Sequence, residues 1–248
     1  MKGIIAIANH KGGVLKTTTT HNLGAGLAKR GNRVLLIDLD PQASLSISMG
    51  KEPMELEANI YNIFSGDLSA EKCICPVEEN LDLIPSNTEL AVLEMQLFSR
   101  TARETILARA MQKVKGLYDY ILIDCPPQLS ILAINGLSMA DAVIIPSKTD
   151  YISYRPIEQL MGTIEEIRRL INPQIYVMGV IASLYEKQVS EHKEVLEVMK
   201  ENYNVIGIVK KTAEATKGIY SGQAVISWNP KAEIARQYQE IVSYIEEA

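Results

Sequence analysis

The sequence predicts an α/β fold: a three-layer, doubly wound, mostly parallel sheet of about seven or eight strands. Three observations predict it. Short blocks nearly continuous in Ile, Val and Leu recur along the 248 residues, as parallel strands covered on both faces require. Longer segments of helical periodicity separate those blocks. A glycine-containing loop follows the first block, and two later blocks end in aspartate and then proline, at strand ends where α/β sheets hold ligands.

In chain order, residues 4–8, 33–37, 120–123, 142–145, 175–181 and 205–209 read as buried strands. Helices are expected over 16–30, 103–116, 129–139, 156–171, 188–202 and 231–247. Residues 50–100 are less regular; 81–84 reads as a further strand and 90–97 as a short helix, while 51–56 and 67–77 hold turn formers and charges. No linker composition bounds this stretch. The expectation is one domain over 1–248 with a variable insertion at 50–100, without internal repeats or low-complexity segments.

Composition narrows the function. A hydrophobic content of 47% supplies a large core. No apolar run approaches the roughly 18 residues that a spanning helix needs. Lys11 and Lys16 interrupt the N-terminal apolar stretch, and no cleavage region follows. A cytoplasmic protein without a membrane partner is expected. The three cysteines (Cys73, Cys75, Cys125) and three histidines (His10, His21, His192) lack the spacing of a zinc or iron–sulfur site. The net charge of −5 argues against a surface that coats nucleic acid throughout, and leaves room for a local basic patch.

The loop His10-Lys11-Gly12-Gly13-Val14-Leu15-Lys16-Thr17-Thr18 lies between the first strand and a helix. Glycines let successive N–H groups curl around an anion, and the helix N-terminus adds its positive end. Lys16 is expected on the β- and γ-phosphates of ATP and Thr17 on Mg²⁺, as in the Lys-Thr pair of a P-loop. His10 and Leu15 stand where the simple P-loop pattern has glycine. His10 either borders the phosphates or faces solvent. Leu15 is tolerable at negative φ and strained at positive φ, so either a helix-like residue or a distorted loop is expected.

Residues 33–37 run into Asp38-Leu39-Asp40-Pro41-Gln42. Asp38 is expected to face the metal and its waters, and Asp40 to orient or deprotonate the attacking water; an ordinary turn role for Asp40 is the plain alternative. Residues 120–123 lead to Asp124-Cys125-Pro126-Pro127, where Asp124 suits a carboxylate holding Mg²⁺ through water. A loop, then Asp-x-Asp, then Asp, all at strand ends, is the order of a P-loop NTPase architecture. Phosphoryl transfer to water needs charge neutralisation and positioning. No arginine lies beside the motif, so the extra cation is expected from Lys11 or from another chain.

These stretches resemble the ParA/Soj family of DNA-partition ATPases, a branch of the deviant-Walker P-loop ATPases that includes MinD. The resemblance rests on residues 11–18, 34–42 and 121–127, with Asn135 and the strand end 143–146 also fitting. It implies nucleotide contacts along Lys11, Gly12, Gly13, Val14, Leu15, Lys16, Thr17 and Thr18. Lys11 matches the signature lysine that reaches the partner's phosphates in an ATP-bound homodimer, and Gly12 the glycine at that interface. Asp40 matches the residue needed for hydrolysis; Thr17, Asp38 and Asp124 match the magnesium site. The implied activity is ATP hydrolysis, slow without a partner. The implied cycle is ATP-dependent dimerisation, non-specific binding of double-stranded DNA, and stimulation by a ParB-like centromere-binding protein, on the nucleoid in the ATP state. It would position a plasmid, chromosome or mobile element.

The family's DNA-contacting residues lie late in the chain, where Lys187, Lys193, Lys210, Lys211 and Lys217 are candidates, with Lys231 and Arg236 further on. Glu186, Glu191, Glu194, Glu197, Glu201 and Glu214 are interleaved with them, so an ordinary solvated surface stays open. Two other functions stay open: a nucleotide-dependent regulator or scaffold without DNA transport, and a MinD-like membrane-positioning ATPase. The second needs a basic amphipathic tail, whereas residues 241–248 are short and acidic.

Overall fold

The computed structural model describes residues 2–214 and 222–248. Its sheet has eight strands in the order β3-β4-β2-β5-β1-β6-β7-β8. These are β1 (Gly3–Ile7), β2 (Val34–Asp38), β3 (Cys75–Glu78), β4 (Leu81–Ile84), β5 (Tyr120–Asp124), β6 (Ala142–Lys148), β7 (Tyr176–Tyr185) and β8 (Val205–Lys210). Every neighbouring pair is parallel except β3 with β4.

The helices are α1 (Lys16–Lys29), α2 (Ser44–Ser48), α3 (Ile60–Ser65), α4 (Leu90–Leu97), α5 (Ile106–Ala110), α6 (Ile131–Met139), α7 (Tyr151–Leu170) and α8 (Ser190–Asn202). A short helix, Val225–Trp228, and a C-terminal helix, Glu233–Glu247, follow.

Side chains alternate across a strand, and that period divides the core into two layers. Ile4, Ala6, Leu35, Ile37, Ile121 and Ile123 face one layer, with α3 to α8. Ile5, Ile7, Val34, Leu36 and Leu122 face the other, with α1 and the C-terminal helix. Both β2 and β5 are buried along their whole length, which explains their unbroken apolar sequence. Gly24 lets α1 lie close on the sheet, because a Cβ there would come within 2.6 Å of a Leu36 methyl. Gly26 does the same for the C-terminal helix, where a Cβ would meet Val242 at 2.7 Å.

Three expectations meet a different outcome. The antiparallel edge strand β3 falls in a stretch that reads as turns and charges. Pro76 and a register shift beside it are tolerated only because β3 lies at the sheet edge. The segment 103–116 is a chain of short turns around α5 instead of one helix. Its apolar period is nevertheless real, since Leu107, Met111 and Val114 are all buried. Helix α7 begins at Tyr151, five residues before Pro156. The Asp150 side chain caps it by accepting from Ser153 N at 2.8 Å, which stabilises the first turn by about 1 kcal/mol. Lys11 Nζ and Ser147 Oγ also donate to Ser153, and these contacts together hold the turn ahead of Pro156, which cannot donate a backbone bond.

The topology positions the site. From β1 the chain crosses toward β2 on one face through α1, and from β5 it crosses toward β6 on the other through α6. Connections diverge at the carboxyl ends of β1 and β5, and such a switch point opens a crevice. No helix among the described residues is long and apolar enough to cross a membrane.

Candidate active site

Parallel register brings the strand-end residues together. Asp124 stands opposite Ile7 of β1 and opposite Asp38 of β2. The loop after β1 is shaped first by Asn9, whose Oδ1 accepts from Lys11 N at 2.9 Å while its Nδ2 donates to Pro146 O at 2.7 Å. The first contact curls the backbone toward Gly12 and Gly13. The second pins the loop to the extension of β6.

Leu15 resolves to φ 68° and ψ 28°, in the left-handed region, as the residue that caps α1. Its carbonyl accepts from Thr19 N at 2.8 Å, so the helix starts immediately beyond a residue in a glycine-like conformation. Of the two expectations, the distorted loop is the one found. An L side chain there costs roughly 1–2 kcal/mol, and Leu15 recovers part of this by packing partly buried against the layer beneath α1. Leu15→Gly is therefore expected to raise stability by up to about 1 kcal/mol, and Leu15→Val, β-branched and worse at positive φ, to lower it by at least about 1 kcal/mol. Urea unfolding without nucleotide reads both, and the opposite ranking would refute the strain.

A cleft of about 440 Å³ is lined by Gly12, Gly13, Leu15, Lys16, Thr17, Thr18 and Asp40, with Ser44, Ile47 and Pro127. Lys16 is only 7% exposed, and its Nζ donates to Lys11 O at 3.1 Å. Thr17 Oγ1 donates to Asp124 Oδ2 at 2.7 Å, and Thr20 Oγ1 to Asp124 Oδ1 at 3.4 Å. Val14 is fully buried and does not line the cleft, unlike the other residues of the loop from Gly12 to Thr18. A larger cleft of about 780 Å³, between β8 and the C-terminal helix, contains none of the motif residues; chemistry and not volume selects the site.

Asp38 lies deeper. Its Oδ1 accepts from Asp40 N at 3.1 Å, and its Oδ2 from Ser46 N at 2.9 Å and Ser46 Oγ at 2.8 Å. It thus holds the Asp40 turn and the start of α2 together. Asp40 in turn accepts from Gln42 N at 2.9 Å through Oδ1 and lines the cleft.

Burial pushes the Asp38 carboxyl up to about 7, against the pull of its Ser46 and Asp40 donors. Burial and then the Asp38 charge push Asp124 up to about 8, opposed by Thr17 and Lys16. Lys16 is drawn down by burial, while Asp124, Cys125 and Asp40 pull it back. His10 is partly buried and lowered by burial and by Lys16. Its Nε2 is buried without a partner among the described residues, at the loop and not in open solvent. Burial raises the Cys125 thiol far above its ordinary range, which keeps it an apolar neighbour of the site.

Asp124 bonds the Thr17 hydroxyl and Asp40 lines the cleft beside it, whereas Asp38, expected to face the metal, is fully buried with both oxygens held by Asp40 and Ser46. The oxygens of Thr17, Asp40 and Asp124 are hard donors. Mg²⁺ takes few protein ligands and completes its shell with phosphate oxygens and waters, so the set suits it. Among the described residues, no three His, Cys, Asp or Glu side chains form a self-sufficient metal cage.

Lys11 is turned away from the cleft. Its Nζ pairs with Asp150 Oδ1 at 3.2 Å and Ser153 Oγ at 2.7 Å, at the start of α7. Sequence reasoning missed Asn9, Ser46, Asp150 and Ser153. Asn9 and Asp150 had local signals, an Asx turn onto the backbone two residues ahead and an aspartate at a helix entry. Asn135 lies outside the cleft and anchors α6, accepting from Leu107 N and donating to Arg103 O and Ile131 O.

The late lysines divide. Lys210 pairs with Glu233 at 2.5 Å and Lys211 with Glu186 at 3.0 Å. Lys187 and Lys193 are exposed, and neither has an ion pair among the described residues. Lys217 lies outside the described residues.

A family model described as an AAA domain matches residues 2–177. The sporulation initiation inhibitor protein Soj of Bacillus subtilis is 34% identical over 249 residues, covering 99% of this chain and 98% of that protein. The chromosome partitioning protein ParA of Caulobacter vibrioides is 32% identical over 244 residues, covering 96% and 91%. Among solved structures, cobyrinic acid a,c-diamide synthase from Mycobacterium smegmatis with bound ATP analog and magnesium superposes with a TM-score of 0.86. It is 33% identical, and the match covers 97% of this chain and 92% of that one.

Proposed function

Because the chain belongs to the ParA/Soj/MinD family of P-loop partitioning ATPases, we propose that it runs an ATP-driven partitioning cycle. It is an ATPase, converting ATP and water to ADP and phosphate, with ATP and Mg²⁺ as its ligands. In the cycle, ATP closes a homodimer and the dimer binds double-stranded DNA without sequence preference. A ParB-like centromere-binding protein then stimulates hydrolysis, which releases the DNA. Its place is the cytoplasm, on the nucleoid in the ATP state, and residues 1–248 act as one ATPase domain with a variable region at 50–100.

The observation that carries this reading is the Thr17 hydroxyl held 2.7 Å from Asp124 beside Lys16 and Asp40. Mg²⁺, when bound, would supply positive charge that offsets the charge of the phosphates. Lys16 and the amides from Gly12 to Thr18 hold the phosphates. Thr17 and Asp124 would hold the metal, with Asp38 supporting from behind. Asp40, carried on a turn that Asp38 fixes, orients the attacking water and accepts its proton. Lys11 reaches the partner's phosphates once the dimer closes. The exposed Tyr151 and Ile152 flank its docking site and suit a surface that a second copy covers.

Lys187 and Lys193, doubled by the dimer, supply four cations for DNA, with Lys217 a further candidate. Lys210 and Lys211 contribute only by exchanging glutamate for phosphate. Their pairing is the observation that favours the second reading, a nucleotide-controlled regulator without DNA transport. Long duplex DNA of arbitrary sequence, offered with a slowly hydrolysed ATP analogue, separates the two. Binding is expected at low salt with ATP only, and four phosphate contacts predict a loss of about a hundredfold between roughly 50 and 200 mM salt. No binding at low salt with either nucleotide would overturn the partitioning reading and leave the ATPase intact.

A further inference from the structure

A site that hydrolyses ATP without an arginine beside its motif needs another cation, and the expected donors are Lys11 or a second chain. Lys11 is paired with Asp150 and Ser153. A different lysine stands at the loop. Strand β6 continues four residues past Ile144, its last residue paired with β1, opposite Ile7. The Asn9 side chain ties this extension to the start of the loop through Pro146 O. Ser147 is fully buried and its Oγ donates to Ser153 O at 3.2 Å. Alternation along the strand then turns the next residue, Lys148, to the opposite face. Its Nζ lies 4.0 Å from where a Cβ on Gly13 would stand.

The Lys148 ammonium has no hydrogen bond or ion pair among the described residues, although the residue is half-buried. Asp150, two positions on, is already taken, its Oδ1 accepting from Lys11 Nζ, Ser153 N and Ser153 Oγ. A partly desolvated cation beside a loop built to bind anions lacks one counter-charge, and a phosphate in that loop supplies it. Position indicates which phosphate. Gly12 and Gly13 are exposed and lie upstream of α1, so Lys148 stands at the outer rim of the cradle. Lys16 and the first turn of α1 form the inner wall, next to Asp124.

We propose that Lys148 contacts the terminal phosphate of ATP bound in its own subunit, as the cation in cis that separates ATP from ADP and stabilises charge during hydrolysis. This rests on the chain being an ATPase. A lysine is suited to the role because it offers a point charge on a flexible stem, and the β6 extension brings that stem alongside the loop.

The test compares Lys148→Ala, Lys148→Gln and Lys148→Arg with the wild type, always with Mg²⁺. Affinities for a fluorescent ADP and a fluorescent non-hydrolysable ATP analogue are measured by titration, together with kcat, KM and the nucleotide-free melting temperature. For Ala and Gln, a loss of about tenfold to a hundredfold in affinity is expected for the ATP analogue, the range for a hydrogen bond to a charged group, with ADP affinity within twofold. The value of kcat should fall by at least about tenfold, Arg should recover most of the loss, and melting should be unchanged. An ATP-to-ADP preference and a kcat within twofold of the wild type would overturn the proposal. So would an equal loss for both nucleotides together with a lowered melting temperature, which marks a structural lysine. Lys16→Ala, measured alongside, reports separately on nucleotide binding as a whole: retained binding there would count against the loop assignment and not against Lys148.

Discussion

Asp40→Ala is expected to lower the hydrolysis rate by about a hundredfold or more while ATP affinity stays within about threefold of the wild type, the size of effect that follows from losing a positioned general base. Asp40 lines the cleft but does not bond to Thr17, Lys16 or Asp124. Its own contact is with Gln42 N in the turn. Removing the carboxylate therefore takes away the group that handles water and leaves the phosphate grip standing. The closed ATP-bound dimer should accumulate, visible as a lasting dimer peak in size-exclusion chromatography with ATP. Asp40→Asn separates the two parts of the role, because it keeps the turn contact and loses the base. A variant that hydrolyses ATP at the wild-type rate would remove Asp40 from the mechanism.

Lys11→Ala is expected to lower hydrolysis in the dimer by about a thousandfold, the lower end of what a cation supplied in trans contributes to phosphoryl transfer. Monomer affinity for ADP should be unchanged, because Lys11 Nζ lies on Asp150 and Ser153 and outside the cleft. Magnitudes decide whether that docking can be undone. With the lysine 26% and the aspartate 29% exposed, such a pair is worth at most about 1 kcal/mol. A thousandfold in rate corresponds to about 4 kcal/mol, so the partner's phosphates win. Asp150→Asn keeps the cap on α7, since asparagine caps as well as aspartate, but gives up the charge. It should shift the ATP-dependent monomer–dimer transition to lower protein concentration by about fivefold at most. Light scattering against concentration measures this. A Lys11→Ala chain that dimerises and hydrolyses normally would overturn the cross-dimer role.

Much of the site was legible because its chemistry is local. Gly12-Gly13 before Lys16-Thr17 can be read as an anion loop without any fold, since the amides and the helix end that bind phosphate are consecutive. Asp38, Asp40 and Asp124 could be placed at strand ends because the apolar runs before them are unbroken and proline follows. The eight-strand count was legible except for β3, whose Pro76 and short length hide it. The start of α7 was misjudged at Pro156, because the turn ahead of the proline is held by contacts from outside the helix, from Lys11 and Ser147, as well as by the Asp150 cap.

What lay beyond reach involves groups far apart in sequence. Lys11 finds Asp150 across 139 residues. Lys148 approaches Gly13 only because β6 neighbours β1, an adjacency set by the sheet order. The pairing of Lys210 with Glu233 and of Lys211 with Glu186 depends on how the C-terminal helix and β7 flank β8. Leu15 is the intermediate case. The sequence by itself determined that a bulky residue stands at the entry to α1, and with it the nucleotide-binding class, the strand-end carboxylates and the three-layer α/β plan, because periodicity and short motifs act over a few residues. Only the tertiary structure decided that Leu15 takes positive φ, that Lys11 is docked at home, and that Lys148 joins the loop. Backbone sign and charge partners are set by which strands and helices come to lie side by side, and that is a property of the assembled sheet.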